Sequence, residues 1–261
     1  MTVLNEVEWT QEMINSMTLG KRPYETLCSV AKYYIHELGY SKKDTRNELE
    51  RFLVQCDPLV SIVKWSGTID GAISFAVKHK PVKIESIDIT KFEMDTIDSL
   101  KGKQVKRLAF TLLCLSKYWD AVNGNDSHWV STKDSEIMKM ANINTSLKRQ
   151  SLMYGMLSKA GLIRFSNKVD NVNIQVIFTN VRDDSKVVLN VTDLRNLGYQ
   201  YLSYHGGSFF VCENCGITTK MRAPSSGRTQ KYCQSCADEI KIKQSIDSVM
   251  RHRKRIRPPR K

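Results

Sequence analysis

Apolar residues recur at helical spacing through the first part of the chain. Leu27, Ala31, Tyr34 and Leu38 follow one another at three- and four-residue steps, with Pro23 placed to open a helix and Gly39 to close it. Ser41 and Asp44 form an N-cap pair for a second helix, whose inner face carries Leu49, Phe52 and Leu53 and whose end precedes Pro58. Over Val60–Lys80 the pattern weakens: Trp65 and Phe75 read as core positions, and Gly67 and Gly71 as a turn. Nothing in this stretch has the spacing of a catalytic or ligand motif. It predicts a small helical domain over 1–80, used for partner contact or dimerisation.

The pattern changes near Pro81. Val82, Ile84 and Ile87 alternate as in an extended connector, and Thr90 with Glu93 has the spacing of a capping box opening a new helix. Val105, Leu108, Ala109, Leu112, Leu115 and Trp119 predict an amphipathic helix over Gln104–Trp119. A polar turn at Gly124 leads to a short strand at His128–Val130. Ser131 is the expected cap of the next helix, with Asp134 in its first turn and Ile137, Met140 and Ala141 inward. The turn Asn142-Ile143-Asn144 then leads into a helix from Thr145 or Ser146 to Ala160, closed by Gly161. Leu162, Ile163 and Phe165 read as one strand, Asn167–Asn173 as a turn, and Ile174, Val176 and Phe178 as the return strand. Helix, strand, helix, turn, helix and hairpin in this order is the layout of a winged helix-turn-helix, predicted over 81–180.

At 100° per residue, the helix after Asn144 places Leu147, Met153, Leu157 and Ala160 together, as the core face. Lys148, Ser151, Leu152, Gly155 and Lys159 fall opposite, with Arg149 at the margin. The hydroxyl of Thr145, the cations of Lys148 and Arg149, and Ser151 suit phosphates or base edges. Leu152 suits a thymine methyl, and Lys168 at the wing tip a neighbouring phosphate. The competing reading is a winged helix used for protein contact, with an ordinary solvated basic face.

The segment Asp88–Phe178 resembles the winged-helix domains of bacterial and bacteriophage regulators and replication initiators. The residues that carry the resemblance are Leu157-Ser158-Lys159-Ala160-Gly161-Leu162-Ile163, similar to the L-x-x-x-G-L-I ending of such recognition helices. The match covers about a third of the chain. Gln150 departs from it, falling near the core-facing side where an aliphatic residue is usual. The resemblance implies a DNA-binding regulator or replication-initiation factor of bacteriophage or mobile-element type.

Seven cysteines change the picture of the C-terminal part. Cys28, Cys56 and Cys114 sit in apolar helical patterns, as small buried hydrophobes do. Cys212 and Cys215 form one C-x-x-C, Cys233 and Cys236 another, with 17 residues between the pairs. Four thiolates at this spacing suit one tetrahedral Zn²⁺ with no position left for water, a structural site. Redox dithiols and unrelated buried cysteines are the alternatives. A strand over Lys186–Val191 and a short helix over Thr192–Tyr199 are expected in the connector 181–207, before a zinc ribbon over 208–240. The loop Thr218–Lys231 carries Lys220, Arg222, Arg228 and Lys231 and reads as a basic hairpin. Cysteine usage of this kind fits a reducing compartment, here the cytoplasm of a bacterial or phage-infected cell.

The formal charge is +13, and the segment 241–261 alone carries +8. A helix over Ile240–Met250 gives way to a run with Arg251, Arg253, Lys254 and Arg255, which binds polyanions by counterion release. No P-loop, G-x-S-x-G or H-E-x-x-H occurs. The five histidines are dispersed, and His205, seven residues before Cys212, is the one hint of a zinc-bearing nuclease.

The expected fold is mainly α with small β elements (α+β): a helical domain, a winged helix-turn-helix, a zinc ribbon and a basic tail at 241–261. The expected function is duplex DNA binding without catalysis, with a homodimer as one arrangement. An adaptor that binds a polymerase or replisome protein, touching nucleic acid only through its tail, is the alternative. RNA is a weaker third, because no aromatic stacking platform is evident.

Overall fold

The computed structural model describes residues 3–20, 22–167, 173–179, 186–222 and 229–256, the last four as backbone only. The fold is α+β and mainly helical, with three small sheets among the described residues. The chain forms two compact units. Unit 1 comprises Met1–Ile87 with Asp120–Asp126 and Asn190–Leu194; unit 2 comprises Asp88–Trp119, Ser127–Leu189 and Arg195–Lys261.

In unit 1, α1 (Glu6–Asn15) precedes α2 (Pro23–Lys32), α3 (Lys42–Cys56) and α4 (Ile62–Lys78). Pro23 occupies the start of α2, which runs on as a π turn over Tyr33–Glu37 before Gly39, at φ +69°, ends it. The Ser41 hydroxyl accepts the Asp44 amide, as its spacing predicts. The core is built from Leu27, Val30 and Ala31 of α2, Leu49, Phe52 and Leu53 of α3, and Ile69, Ala72 and Ile73 of α4. Gly67 and Gly71 mark no turn: α4 runs through both, because the apolar face Ile69, Ala72, Ile73 and Ala76 keeps helical spacing across them. Nor is Phe75 a core residue; it is exposed and stacks on His79 at 4.2 Å between ring centres. Trp65 is half-buried. A buried ion pair ties α1 to α2: Lys32 Nζ lies 2.9 Å from Glu6 Oε2, and Ser29 donates to Glu6 Oε1 at 2.6 Å.

Unit 2 opens with the last residues of β1 (Ile87–Thr90) and α5 (Lys91–Asp98). The Thr90–Glu93 capping box is formed in both directions. The buried Glu93 carboxylate also pairs with Lys117 Nζ at 2.8 Å. Next comes α6 (Lys103–Asn123), expected to be amphipathic but buried all round from Leu108 to Ser116. Phe110, Leu113 and Cys114 fill the sides that the one-faced pattern left open. The two polar residues of that stretch, Thr111 and Ser116, satisfy their hydroxyls on the Arg107 and Leu113 carbonyls of their own helix.

After α6 come β2 (Trp129–Val130), α7 (Asp134–Met140), α8 (Leu147–Lys159), β3 (Ile163–Phe165) and β4 (Ile174–Val176). The strands pair antiparallel in the order β2-β4-β3, with Val130 opposite Ile174 and Ile163 opposite Val176. Ser131 does not cap α7. Lys133 takes that position with no side-chain bond, so the helix starts two residues later than expected, and Met138 is buried in place of Met140. Asn142, at φ +54°, ends α7 and starts the turn into α8.

The remaining elements are β5 (Val187–Val191), α9 (Leu197–Tyr204), β6 (Phe209–Val211), β7 (Thr218–Lys220) and α10 (Gln234–Ile256). β1 and β5 form one two-stranded sheet, β6 and β7 another. The short helix expected from Thr192 begins only at Leu197, because Asn196 at φ +52° breaks the path before it.

Candidate functional site

The hairpin β6–β7 positions the first cysteine pair. Val211 lies opposite Thr218. Between them the Cys212 amide donates to Ile217 O at 3.0 Å and the Gly216 amide to Cys212 O at 2.9 Å. Gly216 adopts φ +70°, a conformation that closes this turn at little cost only for glycine. The second pair, Cys233 and Cys236, straddles the first turn of α10, where free N–H groups and the helix dipole favour thiolates.

The four Sγ atoms all lie within 4.8 Å of one another. Cys215 Sγ and Cys233 Sγ are 3.8 Å apart. Metal–sulfur bonds of ~2.3 Å in a tetrahedron put neighbouring sulfurs ~3.8 Å apart, so the donor set fits a single thiophilic ion. Protein N–H groups already point at the sulfurs: the Cys233 amide reaches Cys212 Sγ and Asn214 Nδ2 reaches Cys236 Sγ, each at 3.3 Å. Burial pushes the Cys212 thiol up, but amides of Cys233, Cys215 and Asn214 outweigh it and hold the thiol down at about 6. Burial raises Cys215 to about 12. Cys212 is thus the sulfur most ready to be a thiolate. Its surroundings are those of a ligand and not of an inert core cysteine such as Cys114, whose complete burial drives its thiol strongly upward. The four cysteines can therefore hold a metal ion.

His205 is not part of this cluster. Its Nε2 lies 3.2 Å from Asp98 Oδ1, and the Tyr201 hydroxyl donates to the same carboxylate oxygen.

α8 carries four of the predicted nucleic-acid contacts, Lys148, Arg149, Ser151 and Leu152. Its buried stripe is Met153, Tyr154 and Leu157, with the Tyr154 hydroxyl donating to Asp134 Oδ1 of α7 at 3.3 Å. Leu147 and Ala160, expected in the core, are exposed. Leu147, 79% accessible, shares Tyr154's side of the helix but lies two turns before it, at the first helical position, beyond the reach of the core. Gln150, the departure from the aliphatic pattern, is half-buried and folds back to donate to Thr145 O at 3.0 Å. Thr145 is half-buried, while Lys148, Arg149, Ser151 and Leu152 are exposed. Among the described residues neither Lys148 nor Arg149 has an acidic partner.

The structure adds residues that helical spacing on α8 alone could not show. A hollow of about 420 Å³ runs between α8 and the start of α6, lined by Arg149, Leu152 and Met156 on one side and Lys101, Lys103 and Val105 on the other. Arg149 thus lines the same hollow as Lys101 and Lys103, and no acid occupies the first turn of α6.

Of the other predicted contacts, Arg222 and Arg251 are exposed. The Arg222 amide donates to Gln230 Oε1 at 3.1 Å. Arg253, Lys254 and Arg255 lie in the last turns of α10, their side chains outside the described residues, as are Lys168 and Arg228. Among the described residues no helix is long and apolar enough to cross a membrane.

No protein-family model, no curated protein and no solved structure matches this chain.

Proposed function

We propose that unit 2 is a winged helix-turn-helix fused to a four-cysteine zinc ribbon, and that the chain binds duplex DNA. In this reading α6, α7 and α8 are the three helices, β2, β3 and β4 the wing sheet, and α8 the reading helix. Cys212, Cys215, Cys233 and Cys236 hold one structural Zn²⁺. The ion would supply folding free energy to a hairpin too small to have a core, and no reacting position. The observation that carries the DNA reading is the solvent face of α8: Lys148, Arg149 and Ser151 stand exposed at its N-terminal half, the cations without acidic partners among the described residues. Lys101 and Lys103 extend that basic surface beside Arg149. Such a face suits phosphates and guanine edges, while the basic end of α10 adds affinity without sequence choice.

One observation favours a protein partner instead. Leu147, Leu152 and Met156 of the same helix are 79%, 61% and 46% accessible, more apolar surface than phosphate contact needs. In that second reading α8 docks on a polymerase or replisome protein and only the tail meets nucleic acid.

A salt titration decides between them. Zinc-loaded protein is bound to mixed-sequence duplex DNA, single-stranded DNA and RNA, with and without the last eleven residues. Each phosphate contact contributes about −0.9 to the log–log salt slope on duplex. Retained duplex preference in the truncated protein supports the reading helix. Binding that vanishes with the tail, or shows no duplex preference, removes it.

A further inference from the structure

We propose that α10 is a self-association helix, pairing with α10 of a second copy of this chain in parallel. The helix spans Gln234–Ile256, and every residue from Lys241 to Met250 is exposed. Most helical stability in proteins comes from packing an amphipathic face, so a helix that exposes an apolar stripe calls for a partner. Ile242, Ile246, Val249 and Met250 are 60%, 50%, 50% and 59% accessible, against a mainly polar remainder of Lys241, Gln244, Asp247, Ser248 and Arg251.

Ile242, Ile246 and Val249 follow at steps of four and three, the alternation of a two-helix seam. The stripe is narrow, about one residue wide except at Met250. A membrane-surface helix needs a broad face with aromatic or leucine anchors, and this one has neither. A narrow seam with coiled-coil spacing is matched most simply by an identical one. In parallel register each of these three residues meets its own counterpart, giving three apolar layers. Antiparallel, with Ile246 opposite Val249, Ile242 falls opposite position 253, an arginine, and an apolar layer is lost.

Charge agrees with the parallel choice. Asp238 and Lys243 flank the seam five residues apart, the separation at which side chains of two parallel helices meet across it. Asp238 is oriented by Gln234 Nε2, at 2.7 and 2.8 Å from its two oxygens, and its acceptor capacity exceeds that one donor. Two such Asp–Lys pairs would bracket the apolar layers.

The same geometry sets an unusual salt dependence. Parallel pairing brings two copies of the segment 251–255, each with four Lys or Arg, side by side at about 10 Å, close to the screening length at 0.1 M salt. Repulsion among the four cations of each copy opposes the seam and outweighs the two exposed Asp–Lys pairs, so added salt strengthens the pairing. A polyanion across both basic ends would act the same way.

The test is sedimentation equilibrium of the full, zinc-loaded chain at 0.1 M and 1 M NaCl, beside Ile246→Lys and the outward-facing control Ser248→Lys. Both positions are exposed in the single chain, so helix content by circular dichroism and bound metal should be unchanged in both. The wild type should self-associate, more tightly at 1 M. Ile246→Lys should weaken association roughly 100-fold or more, through two lost isoleucines per dimer, and Ser248→Lys only slightly. Monomeric wild type at high protein concentration in 1 M salt overturns the proposal, as does equal behaviour of the two variants. Association that weakens with salt overturns the parallel arrangement. None of these outcomes depends on whether α8 reads DNA.

Discussion

Asn142 Nδ2 donates to Asn196 Oδ1 at 2.9 Å, joining two residues that both sit in the left-handed region, at φ +54° and +52°. The chain of bonds runs on in both directions. Asn142 Oδ1 accepts the Tyr199 amide at 3.0 Å, and Asn196 Nδ2 donates to Thr218 O of β7 at 2.9 Å. Beside it, Arg195 donates to Cys215 O at 2.6 Å, and Arg107 to Asn142 O at 3.0 Å. The turn between α7 and α8 and the cysteine hairpin are thus held through one pair of asparagines. Asn142→Ala removes two half-buried bonds and leaves a side chain ill-suited to positive φ. A loss of about 2–3 kcal/mol is expected, a Tm drop of roughly 5–10 °C by calorimetry. An unchanged Tm would show that the relay carries no stability.

If the four cysteines hold the proposed metal, removing it should act locally first. Chelation is expected to unravel the β6–β7 hairpin and the first turn of α10 while α6–α8 keep their helicity, because the hairpin has few buried apolar residues of its own. Metal analysis should find one ion per chain, and cobalt(II) should give the absorption of a tetrahedral thiolate site. Cys212→Ser or Cys236→Ser should abolish that spectrum. Protons compete for the same sulfurs, so metal affinity should fall as pH is lowered. More than one ion per chain, or a spectrum that survives Cys236→Ser, would contradict the four-sulfur site.

What the sequence made legible was local. The cysteine pairs, the Thr90–Glu93 box, Pro23 and Gly161 are each decided by neighbours within a few residues, and all stand where their spacing puts them. What needed tertiary context was misread. Gly67 and Gly71 resemble a turn in isolation, yet Tyr24 packs beside Gly71 and the helix keeps going. Leu147 has the right phase for the core but the wrong height along the helix. Periodicity fixes an angle around an axis and says nothing of where along it the packing stops. The meeting of Lys103 and Arg149 at one hollow likewise depends on the packing of two helices, at residues 46 apart in the chain.

Lys32 and Glu6 offer a test of how unit 1 is held. Both side chains are 10% accessible, and Glu6 also accepts from Ser29 and from the Val82 amide at 3.0 Å. Lys32→Met strands a buried carboxylate and should cost about 3 kcal/mol or more. Adding Glu6→Gln should recover much of that, since an unpaired buried charge is worse than no charge. Chemical denaturation of the two variants checks the order. A double variant no more stable than Lys32→Met alone would show that the charge is not what is lost.

Reversing the face of α8 separates the two functional readings. Lys148→Glu with Arg149→Glu changes only exposed side chains, so Tm should move little. If α8 reads DNA, duplex affinity should collapse and the salt slope should shallow by about one unit per lost phosphate contact. If α8 docks on protein, tail-driven DNA binding should persist with most of its slope.

Two glycines should answer alanine in opposite senses. Gly198, near the start of α9, lies so close to the end of α7 that a methyl group would overlap the Ala141 carbonyl. The obstacle is backbone on both sides and cannot rotate away. Gly198→Ala should push α9 off the α7–α8 turn, strain the Asn142–Asn196 bond, and cost about 3 kcal/mol. Gly155, in the middle of α8, has nothing within 4 Å of where a side chain would begin. There alanine restores helix propensity and should stabilise by about 0.5–1 kcal/mol. Gly155 also stands on the side of α8 that carries Ser151 and Lys148. If Gly155→Ala raises Tm and yet weakens duplex binding, a phosphate or base approaches the helix closely at that point. If it raises Tm and leaves binding unchanged, the contact surface is confined to the turns before it.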